Sequence, residues 1–185
     1  MMVAPAWTSE RLVYRITSRA DAENVVAALS DSKTSESIYW VPKPYTMADA
    51  DDWIARAEHG WLSGEEFLFS ASLKDAGDYV GSINLHKKDN GKAKIGYWVA
   101  SAFQGQGFAT EMVAFIIGFC ASNIQVPHLF ATTDTKNLAS QKVLKKNGFQ
   151  KVAGIDIKTH DGDSRASFLF ERVIKAGELQ GAIRQ

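Results

Sequence analysis

The sequence predicts a mixed α/β fold: a largely antiparallel sheet with a parallel strand pair at its centre, in the order β-α-α-β-β-β-α-β-α-β-β. Three observations lead there. Apolar and polar residues alternate with the period of a half-buried strand in the first, middle and last thirds of the chain. Short turns join three such stretches between Phe67 and Val99 into a meander. A strongly apolar helical stretch then separates the last of them from a further strand, and two strands joined by a crossover helix run parallel.

Taken in order, Leu12, Tyr14 and Ile16 alternate with polar neighbours as a first strand. Ser18 and Asp21 have the spacing of a capping box, and Ala22, Val25, Val26 and Leu29 then fall on one face of an amphipathic helix. From Asp31 to Tyr45 no periodicity is present, which predicts an irregular segment carrying Tyr39, Trp40 and Tyr45. Thr46 and Asp49 open a second helix with an apolar stripe of Met47, Ala50, Trp53, Ile54, Ala57 and Trp61. Strands follow at Phe67 to Leu73, Tyr79 to Leu85 and Ala93 to Val99, with turns at Asp75 to Asp78 and at Asp89, Asn90 and Gly91. Phe108, Met112, Phe115, Ile116 and Phe119 recur at helical spacing, and Val113 and Ile117 widen the stripe enough to imply burial against the sheet. His128 to Thr133 is the next strand. Asn137 caps a helix through Lys146, Gly148 suits the left-handed position beyond its end, and Phe149 packs back. Val152 to Ile157 and Ala166 to Val173 form a closing hairpin around Asp161, Gly162 and Asp163.

The length of 185 residues predicts a single domain. Lysine plus arginine and aspartate plus glutamate number 21 each, so no net charge draws the chain to nucleic acid or anionic lipid. The lone Cys120 lies within an apolar helix face, which predicts a core thiol. The first ten residues lack a basic segment followed by an apolar run, and no apolar stretch nears the roughly 20 residues of a membrane span. A cytoplasmic protein without a metal is the expectation, as a monomer or a homodimer.

The stretch with most chemical content is Gln104, Gly105, Gln106, Gly107, Phe108, Ala109 and Thr110, a turn between a strand and a helix. The first amides of a helix have no partner within it, and the peptide dipoles place about half a positive charge there. Glycines in front of them let a phosphate approach several consecutive amides, and Gln104 and Thr110 are expected to add side-chain donors. This stretch resembles the acyl-CoA signature Q/R-x-x-G-x-G/A of the GNAT superfamily of N-acetyltransferases, with Gln104, Gly107 and Ala109 at its defined positions. Asn137, then Asn147, Gly148 and Phe149, are similar in spacing to that family, and the element order resembles its fold over nearly the whole chain. Thr8, Glu10, Arg11, Leu12 and Arg15 resemble the T-E-R-L-x-x-R opening of the RimJ/RimL-type branch, although Ser9 interrupts it. Pro44, Tyr45 and Thr46, and the run Ile95, Gly96, Tyr97, Trp98 and Val99, are similar too.

The resemblance implies an enzyme that moves an acetyl group from acetyl-CoA to an amine, in the named branch the N-terminal α-amine of ribosomal proteins. It implies coenzyme contacts at Trp98, Val99, the turn 104–110, Asn137 and Ser140, with a backbone amide near Val99 facing the thioester oxygen. Many relatives protonate the departing thiolate with a tyrosine seven residues after the asparagine; here that position is Leu144, and Ser140, three residues past Asn137, resembles the serine of the RimJ/RimL-type branch and is the candidate that the resemblance implies. Several relatives carry a glutamate where this chain has Lys94, which leaves His86, Asp156 and His160 as candidate bases. An α-amine with a pKa near 7.8 is roughly one-tenth neutral at pH 7, whereas a lysine costs about 3.5 kcal/mol more to deprotonate, so a weakly assisted site favours α-amines. Trp40, Tyr45 and the Trp53 to Trp61 helix are expected to line the acceptor pocket. Small-molecule amines as acceptors and a non-catalytic acyl-CoA sensor are the alternatives. A dinucleotide site fits Gly105 and Gly107 but meets Thr110 at its third glycine.

Overall fold

The computed structural model of the protein describes residues 6–38, 41–88, 90–124 and 126–174. Eight strands form one sheet: β1 (Ala6–Thr8), β2 (Leu12–Ile16), β3 (Glu66–Leu73), β4 (Tyr79–Lys87), β5 (Lys92–Val99), β6 (His128–Asp134), β7 (Gln150–Lys158) and β8 (Ser164–Val173). Their spatial order is β1-β2-β3-β4-β5-β6-β8-β7, so the closing hairpin inserts with its second strand against β6 and leaves β7 at the edge. Every neighbouring pair is antiparallel except β5 and β6. Helices α1 (Ala22–Ser30), α2 (Ser32–Ser35), α3 (Met47–Ser63), α4 (Phe108–Phe119) and α5 (Leu138–Lys146) complete the chain.

Two elements were not expected from the pattern. Strand β1 spans three residues, too few for alternation to register, and is fixed by tertiary contacts: Trp7 pairs with Tyr14 and lies edge-on to Phe69 and Phe119. Helix α2 carries the sequence SKTS, which has no apolar stripe, and is started instead by the Asp31 carboxylate accepting from the Lys33 amide. The helix starts read from the sequence are present. The Ser18 amide donates to Asp21, and Thr46 and Asp49 exchange hydrogen bonds at the head of α3.

The sheet buries both faces, and alternation decides which residue goes where. On one face α4 packs its apolar side on Leu12, Tyr14, Phe69, Ile83 and Ile95, with the Tyr14 and Phe115 rings stacked. On the other, α1 and α3 cover Leu68 and Trp98 together with Val25, Ile54 and Tyr45. Phe67 and Phe69 belong to the first core and Leu68 to the second, which is why β3 is buried almost throughout. Beyond Phe119 the helix continues as a π-helical turn, Cys120–Ile124, and delivers the chain to β6.

The parallel pair is short. Register runs only over Lys92 with His128, Ala93 with Leu129 and Lys94 with Phe130, yet β5 continues to Val99 and β6 to Asp134. Over those last residues β5 remains paired with β4, up to Gly81 opposite Val99, and β6 with β8, up to Asp134 opposite Ser167. The two strands therefore diverge towards their carboxyl ends, and the sheet opens beside the head of α4.

Candidate active site

The opening is built from the residues after Val99. A 3-10 turn, Ser101–Phe103, turns the chain away from the sheet, and Gly105 (φ 78°) and Gly107 (φ 86°) take left-handed conformations that present the backbone ahead of α4. A methyl group at Gly105 would meet no atom within 4 Å. Among the described residues, the amides of Gly105 and Gly107 make no backbone hydrogen bond, and those of Phe108, Ala109 and Thr110 are the first amides of the helix, with no carbonyl to pair with inside it. The turn thus offers bare N–H groups at the positive end of a buried helix, an arrangement suited to a phosphate or diphosphate.

Side chains of the turn bond first to the turn itself. One Gln104 Nε2 hydrogen goes to the Val99 carbonyl at 3.0 Å, leaving the other for an outside acceptor, and Gln106 Nε2 donates to the Ala102 carbonyl at 3.0 Å. Phe108 turns its ring into the core against Phe103, so its amide alone faces outward. Thr110 and Ala109 are half-buried, and the Thr110 carbonyl accepts from Asn147 Nδ2, which ties α5 to α4.

Arg11, whose side chain the sequence reading had not given a role, reaches this turn from the β1–β2 connection. Its Nη1 donates to the Gln106 carbonyl at 3.0 Å and its Cζ lies 4.2 Å from the Phe108 ring centre. Its Nε and backbone N donate to Glu111 at 2.8 and 2.7 Å, and Ser9 Oγ donates to the same carboxylate at 2.6 Å. Burial works to raise the Glu111 pKa, but the bonds from Ser9 and Arg11 and the Arg11 charge hold it below the ordinary carboxylate range. The clue in the sequence was the T-x-E-R-L opening; nothing in it pointed a hundred residues ahead.

On the far side of the opening, Asn137 caps α5 by accepting from the Ser140 amide at 2.9 Å. Ser140 faces β5, where the Tyr97 hydroxyl lies 3.0 Å from its Oγ and 3.3 Å from its carbonyl oxygen. Burial pushes the Tyr97 phenol up to about 12, against the opposing bond to Ser140. In the sequence, Tyr97 is marked only as one residue of an alternating strand. Leu144 is a core residue and supplies no group here.

Trp98 and Tyr45 belong to the second core, each 6% exposed. The Trp98 indole packs beside Tyr79, and its Nε1 has no partner among the described residues. Tyr45, expected to line an acceptor pocket, is instead covered, with its phenol raised to about 12 by burial and by Asp49. Trp40 lies outside the described residues. Of the candidate bases, Asp156 is exposed on the edge strand β7, and His160 lies in the exposed turn beyond it. His86 sits between Lys94 and Glu66 in adjoining strands, with its Nδ1 3.8 Å from Glu66 Oε2. Burial, and then Lys88, lower the Lys94 pKa. Among the described residues there is no cluster of three or more metal-ligating side chains, and no helix is long and apolar enough to cross a membrane.

Known proteins share this architecture. Residues 11–150 match the acetyltransferase (GNAT) domain family. The chain is 29% identical over 146 residues to the uncharacterized N-acetyltransferase p20 of Bacillus licheniformis, covering 77% of this chain and 81% of that protein. Its fold superimposes on Mycobacterium smegmatis RimJ in complex with a CoA disulfide, with a TM-score of 0.80 at 22% identity over 97% of this chain and 91% of that one. It superimposes likewise on RimL, a ribosomal L7/L12 α-N-protein acetyltransferase in complex with coenzyme A, with a TM-score of 0.79 at 17% identity over 91% and 97% of the two chains. With the diverging parallel strands, the bare glycine turn and the family match over three quarters of the sequence, the chain belongs to the GNAT family of N-acetyltransferases.

Proposed function

We propose that the protein transfers an acetyl group from acetyl-CoA to the N-terminal α-amine of a protein or peptide, in the cytoplasm and without a metal. The observation that carries the cosubstrate is the set of open amides, Gly105 and Gly107 to Thr110, at the head of α4, beside the opening between β5 and β6. RimJ and RimL, of the same fold, are described with coenzyme A or its disulfide, and RimL as an α-N-protein acetyltransferase.

In this reading the turn amides hold the diphosphate, and the remainder of the cosubstrate lies along β5 towards Val99 and Ser140. Bound acetyl-CoA supplies an activated acyl group on a sulfur leaving group. A backbone amide at the divergent end of β5 faces the acyl oxygen, where negative charge develops as the amine attacks. Ser140 Oγ holds the proton for the departing sulfur. Tyr97, within hydrogen-bond distance of that hydroxyl, orients it and passes back to it, through solvent, the proton that the acylated nitrogen sheds, so that both hydroxyls end as they began. A thiol pKa of about 8.5 makes the sulfur a fair leaving group, so this assistance is modest.

The acceptor class follows from what the site lacks. Lys94 occupies the place where several relatives carry a glutamate, and Glu66, in register two strands away, accepts from Asn84 Nδ2 at 3.0 Å. Without a strong base the enzyme depends on amines already partly neutral, which α-amines are. The test compares acetyl transfer to short lysine-containing peptides with free and with blocked N-termini. The expected result is turnover of the free peptide alone; equal rates would remove the α-amine assignment. Turnover only of polyamines or free amino acids would transfer the activity to small molecules.

A further inference from the structure

Arg11 and Glu111 meet at the glycine turn and the first turn of α4, and the geometry of their pairing is unusually complete. One carboxylate accepts three hydrogen bonds, from Ser9 Oγ, the Arg11 amide and Arg11 Nε. The guanidinium that supplies one of them touches three consecutive residues of the turn: it donates to the Gln106 carbonyl, stacks on Phe108, and places Nη2 3.5 Å from where a Gly107 side chain would begin. A carboxylate in the first turn of a helix competes for the same positive end that an incoming diphosphate would use. Left alone, Glu111 would repel that ligand.

We propose that Arg11 is a positioning residue for the turn and a screen for Glu111: it fixes the Gln106 to Phe108 backbone in its anion-receiving conformation and neutralises the carboxylate that would otherwise oppose a diphosphate. The β1–β2 connection is thereby a determinant of cosubstrate affinity, although it precedes the turn by nearly a hundred residues. This inference rests on the acetyl-CoA reading of the turn. Arg11 retains 41% side-chain exposure, so its charge is felt at the surface where the ligand would arrive.

The two roles separate by substitution. If Glu111 were only a strut, removing its charge would weaken acetyl-CoA binding or leave it unchanged. As a screened repulsive charge, its replacement should tighten binding. Calorimetry with acetyl-CoA at about 0.01 M and about 1 M salt, where charges are felt over roughly 30 Å and 3 Å, gives the readout. Glu111→Gln should bind about threefold more tightly than the native protein at low salt, and the gain should vanish at high salt. Arg11→Met should bind about tenfold more weakly, with kcat at saturation little changed, while Arg11→Lys should recover the salt-dependent part of the loss. Arg11→Met with Glu111→Gln should return to within about threefold of the native affinity. Weaker or unchanged binding by Glu111→Gln, or a double variant no better than Arg11→Met, overturns the screen. A native protein silent on adding acetyl-CoA removes the cosubstrate reading itself, whereas native binding with indifferent variants removes this inference alone. Circular dichroism of each variant establishes that it is folded.

Discussion

The Tyr97 phenol lies 3.0 Å from the Ser140 hydroxyl and bridges strand β5 to the first turn of α5 across the opening of the sheet. Two hydroxyls in contact can exchange roles, so the serine can give up its proton while the tyrosine donates to the oxygen left behind. Ser140→Ala should lower kcat by about tenfold, at the weak end of proton-transfer assistance because the sulfur leaves readily. Tyr97→Phe should lower it by about threefold with acetyl-CoA affinity retained. Steady-state kinetics on a peptide with a free N-terminus would measure both, and an undiminished kcat in Ser140→Ala would remove the serine from the reaction.

The same burial that raises Tyr97 to about 12 shapes the pH response. The phenol keeps its proton throughout the working range, so kcat/KM should rise along one limb near the amine pKa of about 7.8 and show no fall before about pH 10. A descending limb between those values would mean that another acid carries the proton.

Two glycines separate stability from binding. At Gly81 an added methyl group would stand 2.2 Å from the Trp98 carbonyl oxygen and 3.0 Å from the Val99 Cα, so Gly81→Ala must displace β5 and should cost about 1–3 kcal/mol. At Gly105 the space is open but the backbone is left-handed, so Gly105→Ala should cost about 1–2 kcal/mol and place its methyl where a diphosphate would rest. Denaturant unfolding and acetyl-CoA titration should show the second variant losing the larger share of its affinity relative to its stability.

Glu111 also makes stability depend on acid. Its folded pKa lies below the unfolded value of about 4.3, so the stabilisation it provides is complete above that value and is lost as pH falls through the folded one. Glu111→Gln should therefore melt below the native protein at pH 7, and the gap should narrow as pH falls below the unfolded value and through the lower folded one. A gap independent of pH would assign the effect to packing.

Cys120 is fully buried, its thiol pushed up to about 11 by burial, and its Sγ donates to the Val126 carbonyl at 3.2 Å. A thiol-labelling reagent should leave the native protein unmodified at pH 7 and react fully once it is unfolded. Rapid native labelling would contradict the closed packing of the π-helical turn.

How far the sequence could be read follows from the range of each interaction. Local signals were legible: alternation placed the meander β3, β4 and β5, the 3.6-residue stripe placed α4, and Thr46, Asn137 and Gly148 marked helix ends that the structure bears out. Signals set by distant partners were not. Strand β1 exists because Trp7 finds Phe69 and Phe119, and Gln104 turns inward because the Val99 carbonyl lies behind it. The parallel pair was legible from the crossover helix, but what lines the opening beside it depends on pairs distant in the chain: Tyr97 with Ser140, and Arg11 with Glu111. Aromatic content alone did not say where Tyr45, at the end of the aperiodic segment, would pack: it lies in the second core.

The three-rung contact between β5 and β6 divides the sheet into two plates, β1 to β5 and β6 with β8 and β7, sewn together at one end only. A seam so short is a natural pivot, and a molecule wedged between the free edges would act as the missing stitches. Amide exchange should then slow on both plates together when acetyl-CoA is added, including at residues of β8 that no ligand touches.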